Sequence, residues 1–422
     1  MSSQNEWPRV CIKDVCESII DCVNKTAPVV DSQTPYKMIR TTNVKNGWID
    51  VSEVKYVEEG VFKKWTRRGA PRVGDVILTR EAPLGEVGLL RSNDTVFLGQ
   101  RLVQYRADAD KLDNRFLLYS FQADDLQAQI KSFGSGATVE HMRVPDAEQL
   151  TLAMPPLPTQ HKIAAILSAY DDLIENNTRR ISILEEMARA LYREWFVHFR
   201  FPGHAEVPMV ESALGPVPEG WMVQPLTAAV MVDPATKVPK GGDKPFVPMG
   251  SLSNTSMIIR DVGSRTGNSG SKFRNGDTLF ARITPCIENG KTGFVQFLPT
   301  ANAVAFGSTE FIVLRSRTLR PEYVYLLARS AELRDMAIKS MSGATSRQRV
   351  QSAVFSSFLF AHPDANVLDR FQALAGSIFQ QVHTLAVKND NLRRTRDLLL
   401  PKLISGELDV EELDIATVEA DV

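Results

Sequence analysis

The sequence predicts an α+β protein built twice: two tandem α+β domains joined by two long antiparallel helices, in a pseudo-two-fold internal repeat. Three observations predict it. First, Val73-Gly74-Asp75, Arg80, Pro83 and Gly88 return as Asn275-Gly276-Asp277, Arg282, Pro285 and Gly290, each from Gly74 onward a step of 202 residues. Second, Ser135-Gly136-Ala137-Thr138 returns 207 residues later as Ser342-Gly343-Ala344-Thr345, and Leu184–Leu191 lines up 208 residues later with Leu392–Leu399. Third, a long stretch of helical apolar period follows each copy. A period near half the chain is too long for a solenoid. It suits a chain that is its own pseudo-dimer, and a target made of two half-sites.

The elements follow in order. Residues 1–155 carry short β-type runs with Gly, Pro and Asp punctuation, such as Gly74-Asp-Val-Ile-Leu-Thr and Arg101-Leu-Val-Gln-Tyr, then a helical stretch over Asn114 to Phe133. Met154-Pro-Pro-Leu-Pro158 closes this domain with extended backbone, and Pro158 suits a first helical turn. Residues 156–200 form the first long helix. Its apolar stripe is Ile163, Ile166, Tyr170, Leu173, Leu184, Met187 and Leu191, widened by Leu167, Ile174, Ile181, Ala188 and Trp195. At about 1.5 Å per residue it would run roughly 60 Å, too long to stand without a partner helix. Residues 201–365 form the second domain, opening on a Pro/Gly linker at 201–220 and repeating the helix as Tyr323 to Lys339. Residues 366–406 form the second long helix, striped by Leu368, Phe371, Ala375, Ile378, Val382, Leu385, Leu392, Leu399 and Leu403. Asn389 interrupts this stripe as Asn177 interrupts the first. Polar residues inside such a seam fix register, whereas on a wider stripe they face solvent. Residues 407–422 form an acidic tail with seven acidic residues and no basic ones.

Composition sets the class. The 422 residues suffice for two or three domains, and 43% hydrophobic with 23% charged residues is ordinary for a soluble globular protein. No apolar run approaches the roughly 18 residues of a membrane span, and the N-terminus has no signal-peptide pattern. The four cysteines suit a reducing cytoplasm, and Cys11, Cys16 and Cys22 have poor zinc spacing. The net charge of −1 hides local differences: Glu206 to Ala365 holds 17 Lys and Arg against 13 Asp and Glu.

Catalytic motifs are missing. Gly290-Lys291-Thr292 ends like a phosphate-binding loop but has no correctly placed upstream glycine. Met154-Pro-Pro-Leu157 lacks the amide and the aromatic of an amino-methyltransferase loop. Pro145-Asp146 and Pro363-Asp364 lack the acid-x-Lys pair of a nuclease. The six histidines are scattered, so no residue is assigned a catalytic or metal-binding role.

Two regions carry a resemblance. Pro155-Pro-Leu-Pro-Thr-Gln-His-Lys-Ile-Ala-Ala-Ile-Leu, Asp171-Asp-Leu-Ile-Glu-Asn-Asn and Leu184-Glu-Glu-Met-Ala-Arg-Ala-Leu-Tyr-Arg-Glu-Trp-Phe resemble the central conserved region of type I restriction–modification specificity subunits. Asn391-Leu-Arg-Arg-Thr-Arg-Asp-Leu-Leu-Leu-Pro-Lys-Leu-Ile-Ser-Gly-Glu-Leu resembles their distal conserved region, and Leu214-Gly-Pro-Val-Pro-Glu-Gly-Trp221 the start of their second target-recognition domain. The resemblance implies a non-catalytic subunit that reads double-stranded DNA, each recognition domain taking one half of a bipartite site. The helical pair would set the gap, about one to two DNA turns for a rod of roughly 60 Å. Two modification subunits would dock along it and form the adenine methyltransferase, and restriction subunits would add the endonuclease and translocase. It implies no cofactor on this chain; S-adenosylmethionine, ATP and Mg belong to the partners. The alternative is a coiled-coil scaffold that binds no DNA, which explains the helices but not two basic α+β domains.

For a DNA reader, contacts call for cations and small polar groups at exposed positions, most of them to phosphate. In the first domain these are Lys63, Lys64, Arg67 and Arg68 around Trp65, then Arg80, then Ser135, Thr138 and Arg143. In the second they are Lys272 and Arg274 on a basic loop, Arg282 at the place of Arg80, then Ser342, Thr345, Arg347 and Arg349. The equivalence of Arg80 and Arg282 predicts a shared role, either DNA contact or a structural bond.

Overall fold

The 202-residue step is a step between two domains of one build. The computed structural model describes residues 7–134, 140–343 and 348–416. The chain divides into two compact units, Met1–Ile174 with Asn391–Val422, and Glu175–Asp390. These divisions cut both long helices, whereas the sequence boundaries run along them. Each half-helix buries its apolar face in the core of its own unit.

In the first unit a six-stranded sheet runs in the order Cys16–Asp21, Leu102–Ala107, Val76–Arg80, Leu84–Leu89, Gly47–Ile49, Val44–Lys45. The central strands read as near-continuous apolar runs because both of their faces are covered. Val76, Leu78, Val103 and Tyr105 face the helices, while Ile77 and Leu102 face a second cluster with Ile39 and Leu98. A small sheet of Lys55–Tyr56, Lys37–Ile39 and Val96–Leu98 lies beside it. The single helix expected over Asn114 to Phe133 is two helices, Asn114–Gln122 and Asp124–Phe133, because Ala123 is extended. Asp124 and Asp125 then favour a fresh helix start, as acids do at an N-terminus.

The second unit repeats this order with four strands: Val230–Val232, Phe311–Ser316, Thr278–Ala281 and Thr292–Phe294. Its helical stretch breaks in the same way into Pro321–Arg329 and Ala331–Lys339, and here the Ser330 hydroxyl caps the second piece by accepting from the Leu333 amide. A second small sheet, Gly263–Thr266, Asp243–Val247, Val304–Gly307 and Ser271–Arg274, corresponds to the first unit's small sheet. Each contains one parallel pair: Met38 faces Phe97, and Phe246 faces Phe306.

The long helices run Leu157–Tyr192 and Ala365–Ile404, the first extended by a turn over Arg193–Val197. The buried face of the first is Ile163, Leu167, Ile174, Ile181, Ala188 and Trp195, whereas Leu173 and Met187 are about half exposed. The residues expected to widen the stripe are thus largely its centre. Their seven-residue steps hold one face toward a partner, as a 3.5-residue period does. Within each unit the two helix segments pack antiparallel. In the second unit Asn177 meets Asn389 while Trp195 meets Phe371; in the first, Asp171 meets Arg396, and Ile163, Leu167, Leu400 and Leu403 share one core.

The polar interruptions lie inside these seams. Asn177 and Asn389 are buried, and the Asn177 amide donates to Asn389 Oδ1 at 2.9 Å. The buried Asp171 carboxylate accepts from Arg396 and from the Tyr119 hydroxyl at 2.8 Å. Glu185, also buried, accepts from Ser256 Oγ and the Met257 amide, both at 2.7 Å, and its burial pushes the carboxyl pKa up. Each of these polar groups is satisfied, and the pairs Asn177–Asn389 and Asp171–Arg396 join the two helices at fixed positions, which is how such groups specify register.

Candidate nucleic-acid interface

The repeated Gly-Asp is a buried anchor. Gly74 and Gly276 have φ of +91° and +85°, the left-handed region that favours glycine. The turn aims Asp75 and Asp277 back into their own domains. Asp75 accepts from the Arg72 amide at 2.7 Å, Gln104 Nε2 at 2.8 Å and Arg106 at 2.8 and 2.9 Å. Asp277 accepts from the Arg274 amide at 2.8 Å and twice from Arg315 at 2.7 Å. The two ion pairs hold neighbouring strands at equivalent places.

Arg80 ends the strand that follows in the first domain and Arg282 lies one residue past the equivalent strand in the second, beside the cis peptides Ala82-Pro83 and Thr284-Pro285. Their shared role is a clamp. Arg80 Nη1 donates to the Met142 carbonyl at 2.9 Å, and the Met142 amide donates back to the Arg80 carbonyl at 3.0 Å. Arg282 Nη2 donates to the Val350 carbonyl at 2.8 Å, and the Val350 amide returns a bond of 2.8 Å. Each arginine thus fixes the segment leaving the Ser-Gly-Ala-Thr loop. Of that loop's expected contacts, Ser135, Thr138, Thr345 and Arg347 lie outside the described residues. Ser342 is exposed and exchanges both backbone bonds with Arg349, closing the loop's base. Arg349 also grips Glu310 at 2.7 Å, which holds the Glu310 carboxyl below its ordinary range. Arg143 holds Asp146 at 2.8 Å and lowers that carboxyl likewise.

The basic segments of the two domains share one topological slot, between the first strand pair of the small sheet and the Gly-Asp turn, but in different structures. Lys63 and Lys64 are exposed on the helix Glu59–Trp65, with Arg67 and Arg68 just beyond its end. Lys63 is bridged to Glu59 at 2.7 Å, Lys64 lies over the Trp65 ring, and Arg68 holds Asp21. In the second domain Lys272 and Arg274 stand on the strand Ser271–Arg274, not on the expected loop. The turn-rich residues 267–270 only connect the two edge strands of that sheet, Gly263–Thr266 and Ser271–Arg274.

The small sheets explain the slot. In the first domain Val61, Phe62 and Trp65 of the helix cover Met38 and Phe97. In the second no helix is inserted, and the equivalent face carries Phe246 and Phe306. Register places Lys244 opposite Arg265 and Lys272 opposite Phe306, with Arg274 opposite Val304. Arg265 and Lys244 are cations of this face that the sequence reading did not single out. Their signal was the short run Gly263-Ser-Arg-Thr266 bounded by the turn residues Gly-Asn-Ser-Gly, a strand pattern.

Fold and surface define a tandem α+β protein with a basic face on each domain. Residues 4–186 match the family model described as type I restriction modification DNA specificity domain. The MjaIX type I restriction enzyme specificity subunit of Methanocaldococcus jannaschii is 24% identical over 368 residues, covering 85% of this chain and 82% of that protein. The HindI specificity subunit of Haemophilus influenzae is 24% identical over 353 residues, covering 69% and 76%. The crystal structure of a type I restriction–modification S subunit from M. genitalium shares the fold, with a TM-score of 0.56 and 13% identity over 96% of this chain and 98% of that one. Residues 4–186 thus resemble the type I restriction modification DNA specificity domain, and most of the chain is similar to type I restriction enzyme specificity subunits.

Proposed function

We propose that the chain reads double-stranded DNA as two half-sites, one per α+β domain, and that the paired helices set the gap between them. The observation that supports this most is the basic segment that both domains carry in the same topological slot, on different scaffolds. A common function with different targets calls for that combination, because phosphate contacts position a protein while base contacts specify. The chain contributes no catalytic group. Two modification subunits dock on the helices and carry S-adenosylmethionine; restriction subunits carry ATP and Mg. The assembly works in the cytoplasm. No helix among the described residues is long and apolar enough to cross a membrane.

The half-exposed apolar side chains on the helices support docking. Leu173 and Leu398 lie in one unit, Ile183, Met187, Leu374 and Val387 in the other.

Salt dependence tests DNA reading against a protein-only scaffold. Between about 50 and 200 mM salt, a reader with roughly 6–10 phosphate contacts loses about 10³- to 10⁵-fold in affinity. Affinity for duplex DNA should fall that steeply. Flat salt dependence, or no binding by the complex with modification subunits, would favour the scaffold.

A further inference from the structure

The second domain's small sheet has two unlike faces. One joins the core through Val247, Phe273 and Ala305. By alternation, the other carries Lys244, Phe246, Arg265, Phe306, Lys272 and Arg274. The Phe246 and Phe306 rings lie 5.2 Å apart, and the Arg265 guanidinium sits 3.9 Å from the Phe246 ring centroid. Among the described residues none of these four cations has a carboxylate partner within salt-bridge distance. Asp243, on the same strand as Lys244, falls on the opposite face and bonds the Thr266 hydroxyl. A shallow groove crosses the aromatic pair, edged by Met249, Arg265, Asn268 and Ser269. The connection beside it is fixed: Asn268 Nδ2 donates to the Val238 carbonyl at 3.0 Å, and Ser271 Oγ to the Phe311 carbonyl at 2.7 Å.

We propose that this face lies against the major groove of the second half-site, and that Arg265, held over the Phe246 ring, reads a guanine there. The proposal rests on the half-site reading above and names the side chain that does part of it. Four uncompensated cations around an apolar centre complement a duplex, whose phosphates flank the base edges. Stacking on an aromatic ring removes much of the rotamer freedom of an exposed arginine, so its fork is oriented before DNA arrives. That fork matches the O6 and N7 acceptors of guanine, and Phe246 beside it offers the apolar contact a thymine methyl takes. The first domain cannot read this way, because the helix Glu59–Trp65 covers the equivalent face. Two domains of one build thus present different side chains in one slot.

The test is selection of bound duplexes from a randomised DNA pool by the full chain with its modification subunits, comparing the native sequence with Arg265→Gln. Arg265 is exposed, so the variant folds. The expected result is a roughly 10- to 100-fold loss of preference for guanine at one position of one half-site. The other half-site and the gap should be unchanged, and Phe246→Leu should give a weaker version of the same shift. An unchanged motif overturns the proposal. So does uniform weakening on all sequences with a shallower salt slope, which marks a phosphate contact alone. Absence of any bipartite motif with the native chain would overturn the half-site reading itself, and this proposal with it.

Discussion

Asp277→Ala is expected to destabilise the second domain by about 3–5 kcal/mol, the cost of stripping one partner from a buried ion pair. Asp277 and Arg315 expose only 1% and 10% of their side chains. The substitution strands a guanidinium that has Thr236 Oγ1 at 3.0 Å as its remaining partner, and it frees the Arg274 amide that closes the turn. Asp75→Ala should act likewise in the first domain, where Arg106 and Gln104 lose their acceptor. Replacing both members, as in Asp277→Leu with Arg315→Met, should recover much of the loss, since well-packed apolar pairs often match buried ion pairs. Chemical denaturation of the full chain measures this. A loss below about 1 kcal/mol for Asp277→Ala would show that the pair is not the anchor its geometry describes, because surface pairs contribute no more than that.

Removing residues 178–184 together with 382–388 is expected to shorten the preferred gap between half-sites by about three base pairs. Seven residues at about 1.5 Å each span roughly 10 Å, against about 3.4 Å per base pair. One heptad from each helix preserves the phase of the buried face. Asn177 and Asn389 stay in place to set register. The gap is read from the DNA selected by the shortened chain. A motif with its original gap would contradict the proposal that the helices measure distance.

Much of this was legible in the sequence because it depends on local pattern. The 202-residue step, the Gly-Asp turns, the two long helices and the paired asparagines are all short-range or periodic signals. What escaped depends on contacts between distant residues. Asp75 is read easily as a turn residue, but its partner Arg106 lies across the sheet, as Arg315 does for Asp277. The seam's phase was misjudged because Leu173 and Met187 fit the helical period as well as Ile174 and Ala188; the choice is made by which face meets a partner. The equivalence of Arg80 and Arg282 was legible, yet their role as clamps needs Met142 and Val350, about 60–70 residues on. The basic segments Lys63–Arg68 and Lys272–Arg274 were legible as composition. That one copy builds its segment from a helix and the other from a sheet was not, because only the first places a helix over the equivalent face.

The most direct test of the half-site reading is sequencing of methylated adenines in DNA from cells carrying this chain with its modification subunit. The expected result is a bipartite motif with a fixed gap, present with the chain and lost when the chain alone is deleted. Methylation without such a motif, or a motif that survives the deletion, would contradict it.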